Sequence, residues 1–228
     1  TNGGGLSVRD PSTGRMTHYR HDPDDPDSLA ADDLRSVMRD ADGTLWIGTF
    51  GGGLDRFDQD TGRFRHLRSD STDPATLGSD FIRLAYQDRQ GLLWVGTQGG
   101  GLSRLDRSTD RFTTYRHDPD DATSLSNDHV FAILETRAGD FWVGTFGGGL
   151  NRLDRTTGRF TRLDSRDGLA SDSVYAMLED DEGHVWISTT RGLPGEDSIT
   201  GLSIERSRSA RCPRSTSPSA SGSASSRR

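Results

Sequence analysis

The sequence predicts an all-β chain, a segment of a β-propeller built from four-stranded antiparallel blades, and three observations carry that prediction. The tetrapeptide Gly-Gly-Gly-Leu ends at Leu6, Leu54, Leu102 and Leu150, a constant step of 48 residues. Trp46, Trp94 and Trp142 keep the same step, and Trp186 follows at 44, where a connecting loop is shorter. Apolar residues fall in short runs such as Leu45-Trp46-Ile47, between turns rich in Gly and Asp. A fixed period of about 40 to 50 residues marks stacked repeats, and short runs bounded by turn residues mark strands. A helical repeat is excluded, because no stretch holds apolar positions at i, i+3, i+4 and i+7 over ten residues.

Each unit opens with an apolar first strand: Leu34–Met38, Ile82–Tyr86, Val130–Leu134 and Val174–Leu178. A polar turn ending in Gly43, Gly91, Gly139 or Gly183 follows, where glycine supplies the positive φ of a hairpin. The second strand is Leu45–Thr49, Leu93–Thr97, Phe141–Thr145 and Val185–Thr189. It is apolar at consecutive positions, so both faces must be covered, as they are when blades pack on either side. Each Trp then buries about 150–250 Å², worth roughly 4–6 kcal/mol as an upper estimate. Gly48, Gly96 and Gly144, two residues on, share the Trp face and leave room for a neighbouring blade; Ser188 departs from that pattern. The glycine triplet leads to a third strand such as Leu54–Asp58, and a turn such as Gln59-Asp60-Thr61-Gly62 to a fourth, Phe64–Leu67 or Phe112–Tyr115.

On this reading residues 1–193 are propeller: a half blade over 3–20, blades at about 29–67, 77–115 and 125–163, and a half blade over 169–193. The two halves could complete one blade and close a four-bladed ring. An open segment of a larger ring is favoured, because the chain starts inside a motif without Met. Residues 194–228 hold 11 Ser and six Arg with few apolar residues, so this tail is expected to be disordered. The break falls in mid-blade, which suggests a change of reading frame; a natural Ser/Arg linker is the alternative.

Composition narrows function. Hydrophobic residues make up 30% and the mean hydropathy is −0.74, values compatible with a fold only because the apolar residues are concentrated. The net charge is −7, and the repeats alone carry 22 Arg against 32 acids, or −10. That balance argues against nucleic acid, whose phosphates require clustered positive charge. The only cysteine, Cys212, lies in the tail, so there is neither a disulfide framework nor a cysteine metal site. No apolar run approaches the roughly 18 residues of a membrane span.

Ser124-Leu125-Ser126-Asn127-Asp128-His129-Val130, then Gly139-Asp140-Phe141-Trp142-Val143-Gly144-Thr145, Gly149-Leu150-Asn151-Arg152-Leu153-Asp154 and Thr157-Gly158-Arg159-Phe160 together form one unit. Near-copies run over Leu77–Phe112 and Leu29–Phe64, and a half-copy over Leu169–Leu193. This unit resembles the two-component regulator propeller repeat, over residues 3–193. The resemblance implies a periplasmic propeller that senses a small-molecule or oligosaccharide ligand for a bacterial membrane receptor. It also implies partners within that receptor: an immunoglobulin-like domain, a membrane helix and a histidine kinase or diguanylate cyclase output. A homodimer is a further partner such receptors allow. No cofactor is expected, and no catalysis in this segment.

Positions that recur in every unit serve packing, so Asp32, Asp80, Asp128 and Asp172 are expected to bond loop amides or bridge blades. Ligand contacts should come from positions that vary. In propellers the loops before the first strand and between the second and third emerge on one face, around the channel. That face is expected to carry Phe50, Gln98 and Phe146, with Thr190-Arg191 in the last unit, and Arg35, Arg83, Phe131 and Tyr175 at the second position of the innermost strand. Aromatic and Arg side chains there could stack on sugar rings and bond hydroxyls; packing of Phe50 and Phe146 on adjacent loops is the alternative.

The acidic loops His21-Asp22-Pro23-Asp24-Asp25-Pro26-Asp27 and His117-Asp118-Pro119-Asp120-Asp121 invite a calcium reading but lack the ligand spacing of an EF-hand. No metal is expected there. Two other functions remain open. A propeller glycosidase or lyase would need a defined pair of catalytic groups, and no non-repeated pair stands out. An interaction scaffold of the WD type would need Gly-His and Trp-Asp signatures, which are absent.

Overall fold

The computed structural model describes residues 2–190 and the strand Leu202–Ser207. Strands β1 (Leu6–Arg9) and β2 (Met16–Tyr19) form a two-stranded sheet. Three four-stranded antiparallel sheets follow, each in sequence order. They are β3 (Leu34–Arg39) to β6 (Phe64–Leu67), β7 (Ile82–Gln87) to β10 (Arg111–Tyr115), and β11 (Val130–Glu135) to β14 (Arg159–Leu163). A last sheet joins β15 (Val174–Glu179), β16 (Val185–Thr190) and β17 (Leu202–Ser207). The fold is all-β and propeller-like, as the period requires, and each first strand runs one residue further than its apolar run.

Within the segment expected to be a disordered tail, β17 pairs with β16 from Thr190↔Leu202 to Val185↔Ser207, in the place of a third strand. The Leu-Ser-Ile-Glu alternation that suits a strand is hidden by the Ser/Arg composition around it. Among the described residues the two-stranded and three-stranded sheets do not pair with each other. The rest of the tail lies outside the described residues.

The core is a series of layers between sheets. Trp46 packs with Ile82, Leu93, Val95 and Leu105 of the following sheet, and Trp94 with Val130, Phe141, Val143 and Leu153 of the next. Trp142 meets Val174 and Ile187 of the three-stranded sheet and is only half-buried. Close approach at the strand glycines makes these layers tight. A Cβ on Gly144 would lie 2.5 Å from Val174 Cγ1, and one on Gly96 2.8 Å from Val130 Cγ1, so the first strand of the next blade occupies the space that glycine vacates.

The glycine triplet closes a loop that only glycine accepts. Gly53 has φ +87 and a Cβ there would lie 2.5 Å from Leu67 O. Thr49, at the end of β4 (Leu45–Thr49), fastens the loop: its Oγ1 donates to Gly53 O and accepts from Gly52 N. Gly53 N then donates to Asp80 O in the next unit, and Gly101 and Gly149 repeat the bond to Asp128 and Asp172. The recurrent Asp carboxylates accept loop amides, at His21 (2.8 Å), Ser69 (2.7 Å), His117 (2.6 Å) and Ser165 (2.6 Å). The column is scaffold, as its recurrence implied. The shortened last connection holds a single 3-10 turn, Ser165–Asp167, capped by Asp164.

Candidate functional site

In all four innermost strands the pairing slips at one place: between Leu34 and Ser36, Ile82 and Leu84, Val130 and Ala132, and Val174 and Ala176. The residues skipped are Arg35, Arg83, Phe131 and Tyr175. Each is therefore the extra residue of a β-bulge, a device that turns a side chain out of the ladder and is common beside binding sites. The sequence singled out these four positions for their variability; the bulge that aims them leaves no mark in a pattern as plain as Leu-Arg-Ser-Val-Met.

The bulged side chains meet the residues that precede the glycines. Phe131 stacks on Phe146 at 5.6 Å between ring centroids and meets Tyr175 edge-on at 5.3 Å, while Phe146 and Tyr175 are 6.2 Å apart. The Arg83 guanidinium lies 3.7 Å from the centroid of Phe131, a cation–π contact. In the preceding blade Arg35 lies 4.9 Å over Phe50 and pairs with Asp33 at 2.9 Å. Phe50 in turn meets Phe81 edge-on at 4.9 Å and bridges its backbone.

Two aromatic groups thus share one face, joined through the two arginines. Burial, then the charge of Arg35, draws the Arg83 guanidinium below its ordinary range, and Tyr175 opposes this. Phe146 and Phe81 are each 45% exposed. Gln98 occupies the equivalent place in the middle blade, its backbone N–H donating to Phe81 O at 2.8 Å. Arg191 lies outside the described residues. Phe50 and Phe146 do pack on neighbours, and Phe146 combines that packing with an open ring face.

Phe81 is the residue that sequence reasoning missed. It belongs to a second variable column, Asp33, Phe81, His129 and Ser173, whose carbonyls accept the amides of Phe50, Gln98, Phe146 and Thr190. Its signal was available: the position follows the invariant Asp and differs in every unit.

The acidic loops serve turns. Asp22 Oδ1 accepts Asp24 N at 3.0 Å and Asp25 Oδ1 accepts Asp27 N at 3.0 Å. His21 and His117 direct Nδ1 at the carbonyls of Leu29 and Leu125. Among the described residues no three His, Cys, Asp or Glu side chains group as metal ligands, and no helix is long and apolar enough to cross a membrane.

A family model described as the two component regulator propeller matches residues 28–51, 76–99, 124–147 and 168–191. Each match runs from the loop before a first strand to the start of the glycine loop, the stretch that builds this face. Among solved structures, the extracellular domain of a protein described as a hybrid two component system of B. thetaiotaomicron is 27% identical, with a TM-score of 0.67 over 83% of this chain and 24% of that one. A second such domain from the same organism is 20% identical, with a TM-score of 0.60 over 83% of this chain and 33% of that one. This chain therefore spans about a quarter to a third of those domains. A virginiamycin B lyase from Staphylococcus aureus shares the fold at 15% identity, with a TM-score of 0.56 over 90% of this chain and 62% of that one. No curated protein matches the chain.

Proposed function

The four matched segments are two-component regulator propeller repeats, and from that premise we propose that this chain is a ligand-binding sensor segment of a bacterial signalling receptor. Its place is extracytoplasmic, on the periplasmic side of the inner membrane. The ligand is a glycan fragment or other small molecule, and the output is a kinase or cyclase elsewhere in the receptor.

One observation carries this reading: four consecutive innermost strands bulge at the same position, and the bulges bring unlike side chains, Arg35, Arg83, Phe131 and Tyr175, to one face. A purely structural bulge would not need residues that differ between units. Exposed aromatic faces beside guanidiniums suit sugar rings, which present apolar CH faces and rims of hydroxyls. Catalysis in this segment is not supported. Asp33 is paired with Arg35, and the recurrent aspartates hold loop amides.

Glycan-array binding with Phe50 and Phe146 both changed to Ala tests the reading. Loss of oligosaccharide binding by a folded double variant is the expected result. Unchanged binding removes both residues from the site, and turnover of any oligosaccharide by the wild-type chain favours an enzyme instead.

A further inference from the structure

Arg83 stands out among the side chains on the bulged face. The other half-buried arginines have settled partners: Arg155 bridges Asp88 at 3.0 Å and Glu135 at 2.8 Å, Arg107 meets Asp40 at 2.8 Å, Arg162 donates to the carbonyls of Ser124 and Leu125, and Arg104 lies 5.9 Å over Trp94. Arg35, its neighbour on the face, has Asp33. Arg83 is half-buried, yet among the described residues no carboxylate forms an ion pair with it. Phe131 covers it at 3.7 Å, and the Arg35 guanidinium acts on it from the preceding blade. A guanidinium with one face desolvated presents its five donors as a fork that matches a planar or tetrahedral oxyanion.

The surroundings sharpen this. The repeats carry a net charge of −10, so the long-range field repels anions. Attraction of an anion to this face must therefore be local, made by Arg83, since Arg35 is paired with Asp33. Beside it, Phe131, Phe146 and Tyr175 form a three-ring cluster with Phe146 45% exposed, a platform for the body of a ring-shaped ligand.

We propose that this face selects an acidic saccharide, its oxyanion held in the Arg83 fork and its sugar ring packed on Phe131, Phe146 and Tyr175. The inference rests on the sensor reading above and adds the charge class of the ligand. A uronate carboxylate and a sulfate ester share the required chemistry.

The test is array binding by the full chain to neutral, uronate-bearing and sulfated oligosaccharides, at low and high salt, with wild type, Arg83→Gln and Arg83→Lys. Thermal unfolding of each variant reports folding. The expected result is binding confined to acidic glycans and weakened by salt, reduced at least about tenfold in Arg83→Gln and less in Arg83→Lys. The uronate and sulfate arms tell which oxyanion is taken. Neutral glycans bound as well as acidic ones, or acidic binding untouched in folded Arg83→Gln, overturns the proposal and leaves sugar sensing standing. Absence of binding to every class overturns both. Should Arg83→Gln fail to fold, the neutral-against-acidic comparison and the salt dependence of wild type decide alone.

Discussion

At the scale of single residues, the repeat hides one device behind another. Asp40, Asp88 and Asp180 stand six residues before a Trp, and their Oδ2 atoms accept the indole N–H at 2.8, 2.9 and 2.8 Å. Oδ1 of the same carboxylate accepts turn amides, as Asp40 does from Asp42 and Thr44. One side chain therefore ties the first hairpin turn to the blade interface. In the third unit Thr136 takes the position, and its hydroxyl oxygen accepts Asp140 N at 3.1 Å. This clamp was not legible, because an Asp in a polar hairpin turn reads as ordinary turn chemistry, whereas the room kept by Gly96 and Gly144 was legible from their place on the Trp face. The clamp has a pH signature. The bond from Trp186, above all, lowers Asp180 from 3.8 to about 2. A lowered folded value means that the stability it contributes is complete above about 3.8 and is lost as pH falls through about 2. The difference in thermal midpoint between wild type and Asp180→Asn should therefore shrink as pH is lowered from about 4 to about 2. A difference that stays constant across that window would show that the Asp180 charge does not hold the turn.

At the scale of elements, neighbouring blades are fastened by side chains at the end of each first strand. Gln87 accepts Ala41 N at 2.7 Å, Glu135 accepts Arg89 N at 2.8 Å and Glu179 accepts Arg137 N at 2.7 Å, each from the turn of the blade before. Glu135 does a second thing that Gln87 cannot: its other oxygen accepts Arg155 Nη2 at 2.8 Å. Gln87 has an amide nitrogen there, which donates to Gly91 O instead. The corresponding arginine, Arg107, is left with Nε and Nη2 buried and without a partner among the described residues. Gln87→Glu should supply the missing acceptor and stabilise the chain by about 1 kcal/mol, a modest value because Arg107 keeps some exposure. The urea midpoint measures it, and the gain should vanish in a background of Arg107→Ala. Strand limits were readable to within one residue, since alternation and turn chemistry set them locally. The bulges were not, because they depend on how a first strand bends toward the channel, and Arg35 or Tyr175 would read equally well as an ordinary strand residue.

At the scale of the whole molecule, stability should grade along the array. A repeat protein is held by contacts between neighbours, so a unit flanked on both sides is more stable than one flanked on one side. The sheet of β7 to β10 has complete blades on either side, and Trp94 and Ile82 within it are fully buried. At the far end Leu178 is 64% exposed and Trp186 only half-buried, because no further blade packs on them among the described residues. The period alone predicted this arrangement of layers. Composition could not predict β17, since pairing with β16 depends on a short alternation within an otherwise polar run. Amide hydrogen exchange followed by mass spectrometry tests the gradient: peptides covering β15 and β16 should exchange at least about tenfold faster than those covering β7 and β8 (Leu93–Thr97). Equal rates would mean that the sheets unfold as one unit, and that the exposed apolar surface at the end costs the array nothing. The same gradient bears on sensing, because Tyr175 sits on the weakest of these sheets while Phe131, Phe146 and Arg83 sit on stronger ones. A ligand that bridges them couples the end sheet to its neighbours, so protection of β15 should rise on binding and that of β7 should change little.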